Sequence, residues 1–196
     1  GNTDMFTGRK FISSLNQPNL LLVTSSSYIY GIDISSKNPR INFTIPANHP
    51  YSLAQDSNNG NIFVTRVSEV TKVSLGPNGT IKSEVIAGME GPGNNDGSLE
   101  TAQFGSLSNI IILAESKLLV TDSTNHNLRL LDLKTQQTSS ICSGNTGHQD
   151  GSMSDCTLYY PQSLMVLNDS VYVGGFQQIR RFHGKLKSKI FRKKLE

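Results

Sequence analysis

The chain has 196 residues, of which 36% are hydrophobic and 17% charged, with 17 glycines, 7 prolines and no tryptophan. These values predict one globular domain that is long enough to bury a sizeable core. No segment reaches the roughly 18 consecutive apolar residues that a membrane-spanning helix needs, so membrane insertion is not expected. Much of the net charge of +3 lies in the C-terminal sequence GKLKSKIFRKK. A terminal basic run is more typical of a solvated tail or a charged edge strand than of a nucleic-acid-binding surface.

The first half of the chain contains two units that share one order of short apolar segments and polar turns. They span about residues 10–50 and 51–90, and LLLVT in the first unit corresponds to NIFVT in the second. The segments are short, rich in β-branched residues and bounded by turn sequences such as NNG and GPNG. No long window keeps the apolar spacing of an amphipathic helix. Each unit therefore predicts four antiparallel strands.

The second half repeats this order, at about residues 104–144 and 158–194, and a similar connecting sequence precedes each unit. GNNDGSLETAQFGSL begins at Gly93, and GHQDGSMSDCTLYYP begins at Gly147 and aligns with it without a gap. Each connector leads from the outer strand of one unit to the inner strand of the next. In each, we expect an Asp side chain to cap a turn and a glycine to adopt a positive φ, at Asp96–Gly97 and Asp150–Gly151.

One valine marks the second strand of every unit, at intervals of roughly 40 to 56 residues, a period appropriate to propeller blades. These residues are Val23, Val64, Val120 and Val173. The inner strands NIIIL and SLMVL are continuously apolar, whereas the outer strands QTSSICSG and IKSEVIAG are more polar. Blades packed around an axis require such a gradient. The sequence thus predicts one all-β domain over residues 1–196, a β-propeller with about four four-stranded antiparallel blades.

The segment LLVTDSTNHNLRLLDL, from Leu118 to Leu133, resembles the core of an NHL repeat. That repeat reads Val-x-Asp, a short turn, Asn-His, then Ile or Leu, Arg and a closing strand. The lead-in DGSLETAQF also resembles NHL proteins. The likeness is best over residues 93–133 and weaker over 147–183, where VGGFQQIRRF lacks the Asp and the Asn-His. Since NHL propellers commonly have six blades, the resemblance implies an arc of a larger ring, completed by further blades or by self-association; the alternative is a closed ring of four.

The turn that carries the NHL motif has two interpretations. Asp122 is expected to accept backbone N–H groups of its own turn, and Asn125 to adopt the left-handed conformation that a tight turn needs. His126 and Arg129 are expected to pack and hydrogen-bond toward the neighbouring blade. On this interpretation the residues are structural. The alternative is that Asp122, Asn125 and His126 contact a ligand from an exposed turn.

The connectors and the turns between second and third strands should emerge on one face of a propeller, because the strands alternate in direction. Loops on a rigid sheet scaffold are where recognition usually resides. We expect this face to bind a protein, peptide or glycan. Its candidate residues are Arg66, Asp96, Asp122, Asn125, His126, His148, Asp150 and Phe176.

Two other function classes stay open as alternatives. Some NHL propellers attached to RING-type ubiquitin ligases bind RNA, but here Arg66 is mixed with three aspartates and aromatic residues are sparse, so nucleic acid is disfavoured. Propeller enzymes related to amidating lyases and lactonases hold an axial metal. The chain has no repeated His or Glu at the matching inner-strand positions and no common catalytic motif. We therefore expect no enzyme activity, no metal and no cofactor.

Two cysteines, Cys142 and Cys156, flank the second connector and are predicted to form a disulfide; the alternative is two reduced thiols in a cytoplasmic protein. A disulfide would indicate an oxidising compartment, extracellular or secretory. Three glycosylation sequons begin at Asn42, Asn78 and Asn168. A chain this rich in Asn, Ser and Thr produces roughly that many by chance, so they do not bear on location.

Overall fold

The computed structural model describes residues 10–13, 19–76, 80–89, 91–114, 116–142, 146–152, 155–168 and 170–183. These residues form strands and turns, and no α-helix is found among them. Accordingly, this part of the chain has no helix that is long and apolar enough to cross a membrane. The strands are β1 (Lys10–Ser13), β2 (Leu20–Thr24), β3 (Tyr28–Asp33), β4 (Arg40–Pro46), β5 (Ser52–Gln55), β6 (Ile62–Thr65), β7 (Val70–Leu75), β8 (Ile81–Ala87), β9 (Gly97–Ser98), β10 (Leu107–Ala114), β11 (Lys117–Asp122), β12 (Asn127–Asp132), β13 (Gln137–Ile141), β14 (Ser163–Leu167), β15 (Ser170–Gly175) and β16 (Gln178–His183).

The strands form four antiparallel sheets, each built from strands that are consecutive in the chain. Blade 1 is β1-β2-β3-β4, blade 2 is β5-β6-β7-β8, blade 3 is β10-β11-β12-β13 and blade 4 is β14-β15-β16. The short strand β9 adds to the outer edge of blade 3 by pairing with β13. The fourth strand predicted in the C-terminal basic segment lies outside the described residues. This all-β architecture of successive meander sheets is that of propeller blades and confirms the predicted fold class.

The four marker valines occupy equivalent positions, which provides a common register for comparing the blades. Each is at most 2% exposed. Each also pairs with one residue of the third strand, and these residues differ in chemistry: Tyr30 in blade 1, Thr71 in blade 2, Arg129 in blade 3 and Arg180 in blade 4. In blades 3 and 4 the arginine at this position bonds to the connector that precedes the blade.

Apolar side chains pack together at each of the three junctions between consecutive blades. One core cluster joins blades 1 and 2 around Leu22 and Leu53, a second joins blades 2 and 3 around Val70 and Phe104, and a third joins blades 3 and 4 around Leu158. The inner strands are neighbours in the order β1, β5, β10, β14. Among the described strands no comparable contact joins β14 back to β1. The described blades thus form an arc.

The turns between second and third strands and the connectors between blades lie at the same end of the sheets. The last residue of each described outer strand lies opposite the first part of the third strand: Pro46 opposite Tyr28, Ala87 opposite Val70, and Ile141 opposite Leu128. We call this end of the arc the loop face. It carries the connectors of residues 47–51, 88–106 and 142–162.

Candidate functional site

A buried arginine holds the connector of residues 88–106 against blade 3. Arg129 is fully buried. Its Nη1 donates to the carbonyl oxygen of Gln103 at 3.0 Å, and its Nη2 donates to that of Asn95 at 2.7 Å. Nη2 also lies 2.7 Å from Oδ1 of Asp96. Its Nη1 also lies 3.6 Å from Oδ2 of the buried Asp122. Because the guanidinium group contacts connector carbonyls and two carboxylates together, it fixes the path of this loop.

Asp96 has a different role from the predicted turn cap. Its carboxylate accepts hydrogen bonds from the backbone N–H of Ser140 at 2.8 Å and from the Ser140 hydroxyl at 3.1 Å. Asp96 therefore ties the connector to outer strand β13 instead of capping its own turn. The neighbouring Gly97 adopts the expected positive φ, 138°. The φ of Gly151, in the second connector, does not lie in that region.

Asp122 is also part of this structural network. It is fully buried and accepts hydrogen bonds from the N–H of Gly105 at 3.0 Å and from Nδ2 of Asn125 at 2.8 Å. Burial raises the pKa of Asp122, and the hydrogen bonds from Asn125 and Gly105 and the charge of Arg129 oppose this increase only in part. The predicted bonds to its own turn are corrected: the backbone N–H comes from the connector.

Asn125 bridges the turn and the connector, since its Nδ2 also donates to the carbonyl oxygen of Gly93 at 2.6 Å. The left-handed residue of this turn is not Asn125, as predicted, but His126, with φ of 58°. That conformation turns the His126 ring toward the next connector, where Nδ1 accepts the N–H of Tyr160 at 3.1 Å. His126 thus contacts the connector that leads to blade 4, whereas Arg129, for which the same direction was expected, bonds to the connector before its own blade.

Five aromatic rings meet on the loop face between blades 3 and 4. Tyr159 lies at the centre, with ring centroids 5.4 Å from His126, 5.0 Å from Tyr160, 5.5 Å from Phe176 and 5.9 Å from His148. His126 and Tyr160 are 4.4 Å apart, edge to face. These separations are those of favourable aromatic pairs. We call His126, His148, Tyr159, Tyr160 and Phe176 the aromatic patch.

Backbone contacts position the patch while leaving part of it open to solvent. The N–H of Phe176 donates to the carbonyl oxygen of Tyr159 at 3.0 Å. A Cβ atom on Gly175 would lie 2.7 Å from that same oxygen, so a glycine is needed where the connector approaches β15. Even so, Phe176 is 54% exposed and Tyr160 39%. Large apolar side chains held in place yet exposed mark a candidate binding surface.

The second connector repeats the arginine arrangement of the first. Nη1 of Arg180 donates to the carbonyl oxygen of His148 at 2.8 Å, and Nη2 donates to that of Gln149 at 3.0 Å. Arg180 also forms an ion pair with Asp150. Asp150 therefore corresponds to Asp96 in sequence and in its ion pair with the arginine of the third strand.

The predicted disulfide is present. Cys142 and Cys156 are bonded, with their Cα atoms 4.6 Å apart, and both are buried in the core between blades 3 and 4. The bond closes most of the connector into a loop and anchors it next to Leu158, just before the two tyrosines of the patch.

The structure divides the predicted site residues into three groups. His126, His148 and Phe176 belong to the aromatic patch. Arg66 lies between blades 1 and 2, where its Nε donates to the carbonyl oxygen of Asn48 at 3.0 Å and its guanidinium pairs with Glu69. The remaining four hold the connectors: Asp96, Asp122, Asn125 and Asp150.

Tyr159 and Tyr160 were absent from the predicted site. The sequence shows them as TLYYP at the end of the second connector, but rings from three separated segments form the patch, so the spacing of aromatic residues does not reveal it. Two sequon asparagines, Asn42 and Asn168, are exposed, on β4 and after β14; Asn78 lies outside the described residues. Among the described residues, no group of three or more His, Cys, Asp or Glu side chains is placed to hold a metal ion.

Comparisons with known proteins found similarity in fold but not in sequence family. No protein-family model and no curated protein matches it. Among solved structures, an auxiliary nutrient binding protein from Bacteroides thetaiotaomicron is 12% identical, with a TM-score of 0.66 over 81% of this chain and 43% of that one. A chain of a nidogen–laminin complex is 13% identical, with a TM-score of 0.57 over 85% and 60%. Hydrazine synthase from Kuenenia stuttgartiensis is 13% identical, with a TM-score of 0.58 over 93% and 51%.

These neighbours are β-propellers, and at such identities the likeness shows the fold alone. The chain spans between 43% and 60% of the length of the three matched chains. Because binding proteins and an enzyme are both found among them, the fold does not assign an activity.

Proposed function

We propose that this chain is a non-enzymatic, extracellular binding module that recognises a protein, peptide or glycan through its loop face. The aromatic patch carries this proposal. Exposed aromatic rings supply large contact areas at low conformational-entropy cost, and they stack on sugar rings, prolines and apolar side chains. A rigid sheet scaffold positions the rings in advance, so little ordering is needed when a ligand binds.

Charge around the patch favours these ligands over RNA. Aromatic rings also stack on bases, but single-stranded nucleic acid requires free cations along its phosphates. Arg180, which bonds to the carbonyl of patch residue His148, is paired with Asp150. The Cys142–Cys156 disulfide supports an oxidising compartment, and the description of one neighbour as an auxiliary nutrient binding protein supports a binding role.

The chain is proposed to be an NHL-type propeller because the motif residues act together. Asp122, Asn125 and Arg129 all contact the connector that precedes their own blade, while His126 contacts the connector that follows. All four motif residues thus hold a connector against a blade. Blade 4 lacks the Asp and the Asn-His but keeps Arg180 in the same role.

The arc is proposed to be completed by further blades or by a second copy. The free face of blade 4 exposes Met165 by 54%, Leu167 by 49% and Ile179 by 80%. The strand register places these three side chains on one face of the sheet, and exposed apolar side chains grouped in this way favour association. Light scattering at micromolar concentration should show oligomers that Ile179→Lys reduces; a monodisperse monomer of the unaltered chain would oppose this part of the proposal.

The test of the binding function screens the purified chain on a glycan array and against a phage-displayed peptide library. Ligands found in either screen should bind at least tenfold more weakly to Phe176→Ala and Tyr160→Ala, about 1.4 kcal/mol or more. Ile41→Ala is the matched control, because Ile41 is 49% exposed and lies near the start of β4 in blade 1, at the end of the sheet away from the loop face. The proposal is overturned if no ligand is found, if the patch variants bind normally, or if the chain instead binds single-stranded RNA tightly and in a salt-dependent manner.

A further inference from the structure

A pocket of about 410 Å³ lies between blades 1 and 2, at the other end of the arc from the aromatic patch. Its walls are apolar, formed mainly by Ile29 and Ile45 of blade 1 and by Val64 and Val73 of blade 2. Polar residues, among them Asn48, Arg66 and Thr71, also line it. This size and this mixture of walls are typical of ligand pockets.

The pocket exists because the connector at this junction is short. Between blades 2 and 3, the connector inserts Leu99, Ala102 and Phe104 into the core, each at most 1% exposed. Between blades 3 and 4, the connector inserts Leu158. Between blades 1 and 2, only residues 47–51 join β4 to β5. No connector segment is available to fill the equivalent space.

The side chains that hold a connector are also replaced at this junction. In the common register of the blades, Arg66 stands where blade 3 has Asp122, and Thr71 stands where it has Arg129. Arg129 bonds to connector carbonyls, whereas Thr71 is too short to do so. The junction between blades 1 and 2 therefore has neither an inserted connector segment nor an arginine that would bond to one.

Thr71 gives a second, independent sign that the pocket takes a ligand. The residue is 7% exposed, and its Oγ1 is one of the buried polar atoms without a hydrogen-bond partner among the described residues. A buried hydroxyl without a partner costs about 1–3 kcal/mol. A ligand that supplies a hydrogen-bonding group at this point would recover that cost.

We propose that this pocket binds an extended peptide segment of another protein, which inserts an aliphatic or aromatic side chain between the blades and hydrogen-bonds Oγ1 of Thr71. The occupant is inferred from the two following junctions, where the equivalent space holds extended polypeptide. There the inserted side chains are Leu and Phe, flanked by polar residues. The pocket is thus a second binding site, independent of the aromatic patch.

The probe for this site is the chain's own connector as a labelled synthetic peptide, GNNDGSLETAQFGS, together with a phage-displayed peptide library. Fluorescence anisotropy measures binding to the intact chain. Ser83→Trp should abolish binding, since Ser83 is an exposed residue that lines the pocket and a large side chain there fills it. Thr71→Val should weaken binding about tenfold by removing the hydroxyl. A peptide with serine in place of its Leu and Phe should not bind.

Phe176→Ala is the control that separates this site from the aromatic patch, and it should leave binding of the pocket peptide unchanged. The proposal is overturned if no connector or library peptide binds in a way that Ser83→Trp blocks. It is also overturned if Phe176→Ala abolishes the same binding, which would assign the peptide to the patch. Self-association that Ser83→Trp prevents would assign the pocket to a second copy of the chain instead.

Discussion

Between blades 2 and 3 a long connector fills the gap and bonds to the buried Arg129, whereas between blades 1 and 2 a short connector leaves a pocket. Thr71 lines that pocket, and its Oγ1 has no hydrogen-bond partner among the described residues. Both junctions are built on the same strand register, with Val64 and Val120 at equivalent positions. The difference arises from connector length and from one side chain, Thr71 or Arg129. In this fold, blades with the same backbone geometry can therefore carry either a closed structural junction or an open site.

Removal of Arg129 should have the largest effect on the closed junction. Arg129→Met leaves the buried Asp122 carboxylate without its neighbouring cation and frees the connector carbonyls. Breaking a buried pair on one side costs about 3–5 kcal/mol, measured as the change in the free energy of unfolding in urea. Arg180→Met is the matched control: because Asp150 is 94% exposed, the ion-pair part of its loss should be at most about 1 kcal/mol. If both variants lost the same free energy of unfolding, the buried and the exposed ion pair would not differ in strength as proposed.

Loss of the disulfide should have the next largest effect, since the junction between blades 3 and 4 combines an arginine with a covalent bond. Closing a loop of this length stabilises the folded state by about 3 kcal/mol, chiefly through the unfolded chain. Reductant should lower the thermal midpoint of the unaltered protein and leave that of the Cys142→Ser/Cys156→Ser variant unchanged. Two thiols that alkylate without reduction would show that the bond does not form.

Replacement of Thr71 by valine tests the open junction. Thr71→Val removes a buried hydroxyl without a partner and keeps the shape of the side chain, so stability should increase by about 1 kcal/mol. Thr121→Val should have the opposite effect, a loss of about 1 kcal/mol, because Oγ1 of Thr121 accepts the N–H of Asn109 at 2.8 Å. Chemical denaturation of both variants measures the change in the free energy of unfolding. If Thr71→Val were destabilised, the Thr71 hydroxyl would have a hydrogen-bond partner in solution.

The smallest expected effect is a pH dependence of stability at the closed junction. The pKa of Asp122 is raised, so its contribution is full below the ordinary carboxyl pKa of about 3.9 and is lost as pH increases through the raised value. The stability difference between the unaltered protein and Asp122→Asn should therefore decrease with increasing pH. Urea unfolding at a series of pH values measures it.

Asp132 provides a control of opposite sign. Partial burial raises the pKa of Asp132, but hydrogen bonds from Lys117 at 2.5 Å and from the backbone of Thr135 and Lys134 outweigh this, and the net pKa is lowered. Its contribution is present above the ordinary carboxyl pKa and is lost as pH falls through the lowered value. The difference between the unaltered protein and Asp132→Asn should therefore increase with pH. If the stability difference changed with pH in the same direction for Asp122→Asn and Asp132→Asn, the opposite pKa shifts assigned to the two carboxyl groups would be wrong.

The strands, the blade repeat and the disulfide could be predicted from the sequence because each depends on local patterns. Short apolar runs between turn sequences specify strands, and the recurrence of Val23, Val64, Val120 and Val173 specifies the blades. Cys142 and Cys156 flank one connector, and the return of the chain to the same junction brings them together. The strands and the repeat require no knowledge of how one blade contacts the next, and the disulfide requires only that the connector returns to the edge it leaves.

The roles of the site residues depended on contacts between blades and could not be predicted in the same way. Asp122 looks like a turn residue in the sequence, yet its backbone partner is Gly105, from a different segment. Tyr159 and Tyr160 become prominent only where they meet rings from two other turns. Arg66 resembles the other loop-face residues in sequence but lies beside a pocket.

The sequence by itself determined the period of the strands and the positions of the turns, since backbone preferences and apolar alternation act over a few residues. The tertiary structure alone decided which connector is held, which buried polar atoms of the described residues have no hydrogen-bond partner, and which aromatic rings form a patch. The physical reason is distance along the chain: these contacts join segments tens of residues apart, and their geometry depends on connector length and on the packing of neighbouring blades.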